Sequence, residues 1–470
     1  MNPERFRKIA RLAFLLCGLA IVLQTGVVGA ALHESHNMTT IKTTGRAGND
    51  DDKEQKELEK AARKIYKRAL KSYENSSYWR AAVDLVIILD FYSSYSGLDD
   101  VICLLANCLY EMEMYDGADR LYRHLLKSGR KTEWIADALL GLQKSAYQKG
   151  EFQQSLKFYK ALESHYTQDD NIHESRYYAG QTYFNLENYN LVLNIVPHIK
   201  KKSDFYPFAL YTLGLANLKK KNVRESIRNF LDVIRFSANS PERRHIIASA
   251  RLTLGYVYFE LSSYDEAAEH LSKILPDYSD YPEVLLARGW ASFKSGDFQA
   301  VLETLNGLIE GYPDYSNLEE AYFLRGQCYL KLGYHDFAIR EYDKLIVPGN
   351  SPDSAAALQE VGQGLSSQEK RIEELAANLQ QLESALVRSI PLDGSNGRLE
   401  SWADSQVSIK LARENLIKKI MRERDEFYEV LDNIARLKRR FKRNDLRERW
   451  RTYAEYGKAR ALFLRGIDPQ

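Results

Sequence analysis

The sequence has 470 residues, more than one hydrophobic core ordinarily organises, so it either divides into domains or stacks as a solenoid. Its net charge of +2 is close to neutral and by itself selects no class of partner. With 31 tyrosines and only 11 prolines, it suits helices whose gaps are filled by rings.

Arg5, Arg7, Lys8 and Arg11 precede an apolar run from Leu12 to about Ala31, which ends on the small residues Val28-Gly29-Ala30. That order is a secretory signal over residues 1–31, and the run is also long enough for an uncleaved anchor. Gln24, Thr25 and three glycines weaken it as a span and favour cleavage. Both readings place the remaining chain outside the cytoplasm, periplasmic or anchored in the inner membrane. Residues 32–55 are polar and without periodicity, as expected of a disordered tether. Asn37-Met-Thr and Asn75-Ser-Ser match the glycosylation sequon, which matters only in a eukaryotic secretory pathway.

From residue 56 to 347 one pattern recurs. A small or β-branched residue returns at Ala81, Ala118, Ser155, Val192, Ser226, Ala267, Val301 and Ala338, in steps of 37, 37, 37, 34, 41, 34 and 37. Seven residues after it stands an aliphatic side chain every time, from Ile88 to Leu345. Three residues before it stand Tyr78, Tyr115, Phe152, Tyr189, Val223, Tyr264, Phe298 and His335. Twelve residues before it stand Ala69, Ala106, Gln143, Gly180, Gly214, Gly255, Gly289 and Gly326. This is the pattern of a helical hairpin. A small residue in helix A admits helix B closely, an aromatic plugs the turn, and helix B packs on the next hairpin. One hairpin cannot bury its apolar face alone, so neighbours stack.

Here the sequence resembles the tetratricopeptide repeat family, best at Leu213-Gly214, Leu254-Gly255, Tyr264-Asp-Glu-Ala267 and Gly150-Glu-Phe152. The family unit is 34 residues, and most steps here are three longer. The resemblance implies a concave groove lined by helix A. Carried over, its partner-binding residues are Tyr177, Gln181, Tyr211, Tyr256, Trp290, Lys294, Phe323 and Gln327. Trp290 and Tyr256 are the strongest of these, since large amphipathic rings favour interfaces. The groove lacks the Lys/Asn pattern by which some members clamp a terminal carboxylate, which points to an extended or helical peptide segment.

Motifs for catalysis are missing. There is no His-Glu-x-x-His, no Gly-x-x-x-x-Gly-Lys and no Gly-x-Ser-x-Gly. The expectation is a protein that is not an enzyme and that uses no cofactor and no metal. Cys103, Cys108 and Cys328 form no Cys-x-x-Cys pair and read as buried small apolar residues.

After Gly349-Asn-Ser-Pro352 the repeats stop, and residues 348–366 read as a linker. Residues 367–441 carry two heptad seams. The first comprises Ile372, Leu375, Leu379, Leu382 and Leu386, and the second runs from Leu416 to Phe441 across Ile420, Phe427, Val430, Ile434 and Leu437. Pro391–Gly397 supplies a turn between them, which gives an antiparallel coiled-coil hairpin. The second arm is longer, so part of its seam needs another surface: the repeat array, the terminal helix or a second chain. Residues 442–470 read as a basic C-terminal helix. The basic patch is Arg436, Lys438, Arg439, Arg440, Lys442, Arg443, Arg447, Arg449 and Arg451. It suits helix-end compensation, or docking to an acidic partner, anionic lipid or an envelope polymer. The signal segment contradicts nucleic-acid binding.

The fold expected is therefore all-α: a TPR-like helical-hairpin solenoid of about eight repeats, then the coiled-coil hairpin and the basic helix. The function expected is a non-catalytic protein–protein interaction scaffold of the bacterial cell envelope. Its partners would be other envelope proteins, with lipid or polymer binding and self-association through the coiled coil as alternatives.

Overall fold

The computed structural model describes residues 51–128, 133–346, 355–390, 392 and 403–467. The expected signal segment and nearly all of the expected tether lie outside these residues. Every element among the described residues is helical.

Sixteen helices form eight hairpins. They are α1 (Asp51–Glu74) with α2 (Tyr78–Phe91), α3 (Leu98–Glu111) with α4 (Tyr115–Ser128), α5 (Glu133–Gln148) with α6 (Phe152–His165), and α7 (Asn171–Asn185) with α8 (Tyr189–Ile195). Then follow α9 (Tyr206–Lys219) with α10 (Val223–Val233), α11 (Pro241–Glu260) with α12 (Tyr264–Ser272), α13 (Tyr281–Ser295) with α14 (Phe298–Gly311), and α15 (Leu318–Lys331) with α16 (His335–Ile346). The aromatic expected before each small residue opens helix B in six of them. Helix α1 begins at Asp51, earlier than the end expected for the tether at 55, because helix-forming Glu, Lys and Gln continue upstream of Leu58.

The turn between A and B is the same eight times. Five residues before the small residue the backbone is left-handed, with φ between 56° and 92°, at Ser76, Glu113, Gly150, Glu187, Lys221, Ser262, Gly296 and Gly333. The amide of the next residue then reaches back to a carbonyl five residues earlier, from Ser77 to Ser72 in the first hairpin and from Tyr334 to Tyr329 in the eighth. All eight of these bonds measure 2.8–3.0 Å. This is a Schellman closure, which satisfies carbonyls that the end of helix A would otherwise strand. Only three of the eight residues are glycine. A side chain in the left-handed region costs on the order of 1 kcal/mol, so five turns hold their shape against that cost. Rings then bridge the turn. Tyr73–Tyr78, Tyr110–Tyr115, Tyr147–Phe152, Phe184–Tyr189, Phe259–Tyr264 and Phe293–Phe298 have centroids 5.3–6.0 Å apart.

The small residue of helix A earns its place by contact. A Cβ at Gly214 would lie 2.6 Å from Phe230, one at Gly255 2.6 Å from Leu271, and one at Gly326 2.6 Å from Tyr342. Phe230, Leu271 and Tyr342 each stand four residues after the small residue of helix B and are fully or almost fully buried. The serines among those small residues also bond back: Ser226 donates to the Gly214 carbonyl at 2.8 Å, and Ser155 to that of Gln143 at 3.0 Å. Cys103, Cys108 and Cys328 are free and buried, as expected. Burial pushes the Cys103 and Cys108 thiols up to about 12 and that of Cys328 to about 11, so all three stay protonated near neutral pH.

Two more helices follow, α17 (Ala355–Arg388) and α18 (Ala403–Ile467). Helix α17 starts inside the segment expected as a linker. It absorbs Gly362 and Gly364, at about 1 kcal/mol each relative to alanine. Helix α18 runs unbroken through residues 441 and 442, where a separate basic helix was expected, because no Gly or Pro occurs between Ala403 and Tyr456.

The chain forms two compact units. Among the described residues the first holds 51–212 together with Asn378–Arg422, and the second holds Leu213–Ala377 with residues 423–467. In the first unit the end of α17 and the start of α18 dock on α2–α4. Arg413 is buried there, donates to the Asp90 carboxylate, and bonds Ser389 Oγ at 3.0 Å. Arg120 donates to the Val387 carbonyl, and Val387 rests on Gly117. In the second unit α17 and α18 pair antiparallel, with Leu375, Val430 and Ile434 buried between them and Lys438 bonded to Glu369 at 3.0 Å. Past that pairing α18 covers the eighth hairpin: Ala454 and Ala461 join Ala338, Tyr342 and Leu345 in one core.

Two substitutions at neighbouring positions should move stability in opposite directions. Ser262→Gly relieves a left-handed side chain and gains up to about 1 kcal/mol. Gly255→Val overpacks Leu271 and loses about 1–3 kcal/mol. Urea unfolding midpoints read both. For the docked arm, Arg413→Met strands the half-buried Asp90 and loses about 2–3 kcal/mol, whereas Arg413→Met with Asp90→Leu recovers most of it. A double variant as unstable as the single one would show that the ion pair is not what ties the arm down.

Candidate functional site

The residues expected to bind a partner all lie on helix A, eleven or fifteen residues before the small residue of helix B, except Lys294. The structure sorts them by what they touch. In the first unit Tyr211 is 2% exposed and belongs to the core, so it offers no surface. It stands four residues from Leu215 among the buried residues Ala209, Leu210, Leu215 and Ala216 of the same helix. Gln181 is buried and donates to Thr212 Oγ1 at 2.7 Å. Tyr177 is half-buried, with its ring 5.2 Å from Tyr178 and 5.6 Å from Phe205.

In the second unit the picture differs between hairpins. Phe323 lies against Trp450 of α18, with centroids 5.1 Å apart, and Gln327 donates to the Tyr342 hydroxyl at 2.8 Å. The chain's own last helix therefore covers Phe323, and it is not an open groove residue. Tyr256, Trp290 and Lys294 remain together on α11 and α13. Tyr256 is half-buried and donates to Glu283 at 2.5 Å. Tyr315 donates to the other oxygen of the same carboxylate at 2.5 Å. Trp290 is half-buried; its indole donates to Glu320 at 2.8 Å, and its ring meets Phe293 edge-on. Lys294 is exposed on the last turn of α13.

Glu283 and Glu320 were not among the expected residues, yet they hold the site. Each stands eighteen residues before the small residue of its own repeat and receives the donor that stands eleven before in the preceding repeat. Lys144 and Glu174 form the same pair in the first unit, at 2.8 Å, with Lys144 also 4.9 Å from the Tyr110 ring. The signal was present in the sequence: Asp100, Asp137, Glu174, Glu283 and Glu320 all occupy this position. Helix A is thus linked to the next helix A by a donor on one and a carboxylate on the other. Burial, and then the charge of Glu283, push the Tyr256 hydroxyl well above its usual range; the same two causes act on Tyr315. Both therefore stay protonated and donate. With those polar atoms spent on neighbouring helices, what this face leaves accessible is the exposed part of the half-buried Tyr256 and Trp290 together with the Lys294 cation.

The basic patch is less open than its composition implies. Arg436 pairs with Asp432 at 3.2 Å, Lys438 with Glu369 at 3.0 Å and Arg451 with Glu455 at 3.2 Å, and Arg449 is exposed. The side chains of Arg439, Arg440, Lys442, Arg443 and Arg447 lie outside the described residues. Among the described residues no group of three or more His, Cys, Asp or Glu side chains could hold a metal ion. No described helix is long and apolar enough to cross a membrane.

Residues 252–316, which include Tyr256, Glu283, Trp290 and Tyr315, match the tetratricopeptide repeat family model. Over those residues the chain carries tetratricopeptide repeats. Among solved structures, apo RapI is similar over 71% of this chain and 97% of its own, at 12% identity and a TM-score of 0.45. PilF of Pseudomonas aeruginosa is similar over 47% of this chain and 95% of its own, at 17% identity and a TM-score of 0.37. A tetratricopeptide repeat protein from Parabacteroides merdae covers 63% of this chain and 95% of its own, at 14% identity and a TM-score of 0.28. No curated protein sequence matches the chain. Tetratricopeptide repeats serve in general as non-catalytic scaffolds for protein–protein interaction.

Substitution of Glu283 tests the linkage between helices. Glu283→Ala leaves two buried hydroxyls without an acceptor and should cost about 2–4 kcal/mol, against about 1 kcal/mol for Glu283→Gln, which keeps an acceptor. Loss of the carboxylate charge also favours the phenolate, so ultraviolet titration of Glu283→Gln should show a tyrosine population ionising at lower pH than in the wild type. An unchanged titration would mean that the contact with Glu283 is absent in solution.

Proposed function

We propose that this protein is an exported, non-catalytic scaffold of the bacterial cell envelope, which binds peptide or protein segments on the helix-A face around Trp290. The observation that carries this reading is the Trp290 ring itself. It is half-buried, fixed by its bond to Glu320, and neighboured by Tyr256 and by the exposed Lys294. A large ring already locked in place loses little freedom when a partner settles on it, which is what makes tryptophan a frequent centre of binding energy. Because the polar atoms of these side chains are taken, the partner segment is held mainly by apolar contact, with an acidic group set to meet Lys294. Export rests on the basic–apolar–small order of residues 5–31. The partners are other envelope proteins.

A second reading gives the main role to the basic arm of α18, acting on anionic lipid or an envelope polymer. The run Arg436–Arg443 motivates it, but the pairing of Lys438 with Glu369 and of Arg436 with Asp432 favours the helix-A face.

Crosslinking and affinity purification from the native envelope separate the two. Trp290→Ala with Lys294→Glu should reduce recovery of the co-purified proteins about tenfold, with circular dichroism unchanged. Neutralising Lys438, Arg439, Arg440, Lys442 and Arg443 to glutamine should leave that recovery as it was. If recovery follows the neutralised arm instead, the second reading replaces the first. Accumulation of the chain in the cytosolic fraction would rule out export.

A further inference from the structure

The end of α18 repeats the register of helix A. Ala459 falls where the other repeats carry Ala69, Ala106, Gly180, Gly214, Gly255, Gly289 and Gly326, with Gln143 the exception. Four residues on, Phe463 falls where they carry Tyr73, Tyr110, Tyr147, Phe184, Phe259 and Phe293, with leucine in the remaining two. Tyr456 matches Tyr66, Tyr177, Tyr211 and Phe323.

The docking matches too. Gly457 rests on Tyr342 so closely that a Cβ there would lie 2.7 Å from Cζ. In the third hairpin Gly141, at the same position, rests in the same way on Tyr122 of the preceding helix B. Lys458 to Asp343 at 2.5 Å and Arg465 to Asp336 at 2.9 Å fix the register. Residues 450–467 are thus seated on the eighth hairpin as a ninth helix A.

In the other hairpins helix A has a second neighbour, its own helix B. Its small residue admits the side chain four residues after the small residue of helix B, and in most its ring meets the ring that opens helix B. On α18 that face is open. Tyr456 is 73% exposed, Phe463 67% and Ile467 64%, and Ala459 is exposed between them. The outward face of a terminal repeat is ordinarily polar, because nothing stacks on it. This one is aromatic.

We propose that the face of α18 bearing Tyr456, Ala459 and Phe463 receives an amphipathic helix from a partner protein, seated as the helix B of a ninth hairpin. Three observations select that occupant. Continuity with the repeat stacking supplies the geometry, since the same helix A positions are covered by a helix in the preceding hairpins. The small residue at 459 serves close helix–helix approach, which a lipid surface does not require. Charge is the third: the exposed Arg460 stands one turn after Tyr456 at the edge of the open arc, and a helix carrying carboxylates along its flank complements it. This surface is separate from the Trp290 face, and either can fail without the other.

The chain supplies its own probe. Residues 298–311 form the acidic helix B of the seventh hairpin, with Val301 as the small residue, Leu305 four residues on, and Glu303 and Glu310 on its flank. A helix-stapled, fluorescent peptide of this sequence is titrated with the full chain and followed by anisotropy. The expected result is saturable binding that weakens about tenfold or more with Ala459→Arg, and equally with Leu305→Asp in the peptide. Ala459 is exposed, so the variant should keep the wild-type circular dichroism and sedimentation. A second variant, Phe463→Ser, gives the same answer with no added bulk. The proposal is overturned if the peptide does not bind, or if it binds both variants as tightly as the wild type. It is also overturned if Ala459→Arg instead abolishes wild-type dimerisation or binding to phosphatidylglycerol vesicles.

Discussion

One contact sets the spacing of this protein: the side chain four residues after the small residue of helix B pressed against the small residue of helix A. Phe230 on Gly214, Leu271 on Gly255, Leu305 on Gly289 and Tyr342 on Gly326 are versions of it. The distances leave no room for a Cβ without displacement, so the two helices approach as nearly as backbone allows. Everything else in a hairpin follows from that approach. The turn must be short, which the Schellman closure and its left-handed residue provide. The turn aromatic must lie across the gap, which places it on the ring of the preceding helix. Helix B then has its aliphatic stripe free for the next hairpin.

The second layer of organisation is electrostatic and runs from helix A to helix A. Lys144 with Glu174, Tyr256 with Glu283 and Trp290 with Glu320 each join a donor in one repeat to a carboxylate in the next. These bonds are partly shielded from water, so they hold neighbouring hairpins at a defined angle more firmly than exposed ion pairs would. They also change what a binding face consists of. Side chains that in isolation look like hydrogen-bonding groups awaiting a ligand are already engaged, and recognition passes to the apolar parts of the same residues.

Much of this was legible in the sequence. The spacing of Ala81, Ala118 and their successors gave the hairpins, and the alternation of Gly255 with Leu271 or Gly326 with Tyr342 is visible once the register is known. The left-handed turn was only half legible, because Ser, Glu and Lys fill five of its eight positions and carry no conformational signature. The site was harder. Tyr211 and Phe323 occupy the same repeat position as Tyr177, and the repeat pattern alone does not say which of them is covered. That depends on a packed core in one case and on Trp450, some 127 residues downstream of Phe323, in the other. The acidic residues that fix Tyr256 and Trp290 recur at a constant spacing, but in five of eight repeats only, which hides them among the ordinary charges of a helix surface. Gly362 and Gly364 hid the start of α17, and the end of the heptad seam at Phe441 hid the continuity of α18, which no Gly or Pro interrupts there.

A stack of hairpins normally frays from its ends, because the first and last units have one neighbour instead of two. Here neither end is bare. The tip of α17 and the start of α18 lie on the opening hairpins, and the close of α18 lies on the final one. Breathing of the opening hairpins therefore requires Arg413 to release Asp90, and breathing of the final one requires Ala454 and Ala461 to leave their shared core. Slow amide exchange would then extend to the first and last hairpins. Within each unit the docked helix acts less as an appendage than as a cover over a hairpin that would otherwise have one neighbour.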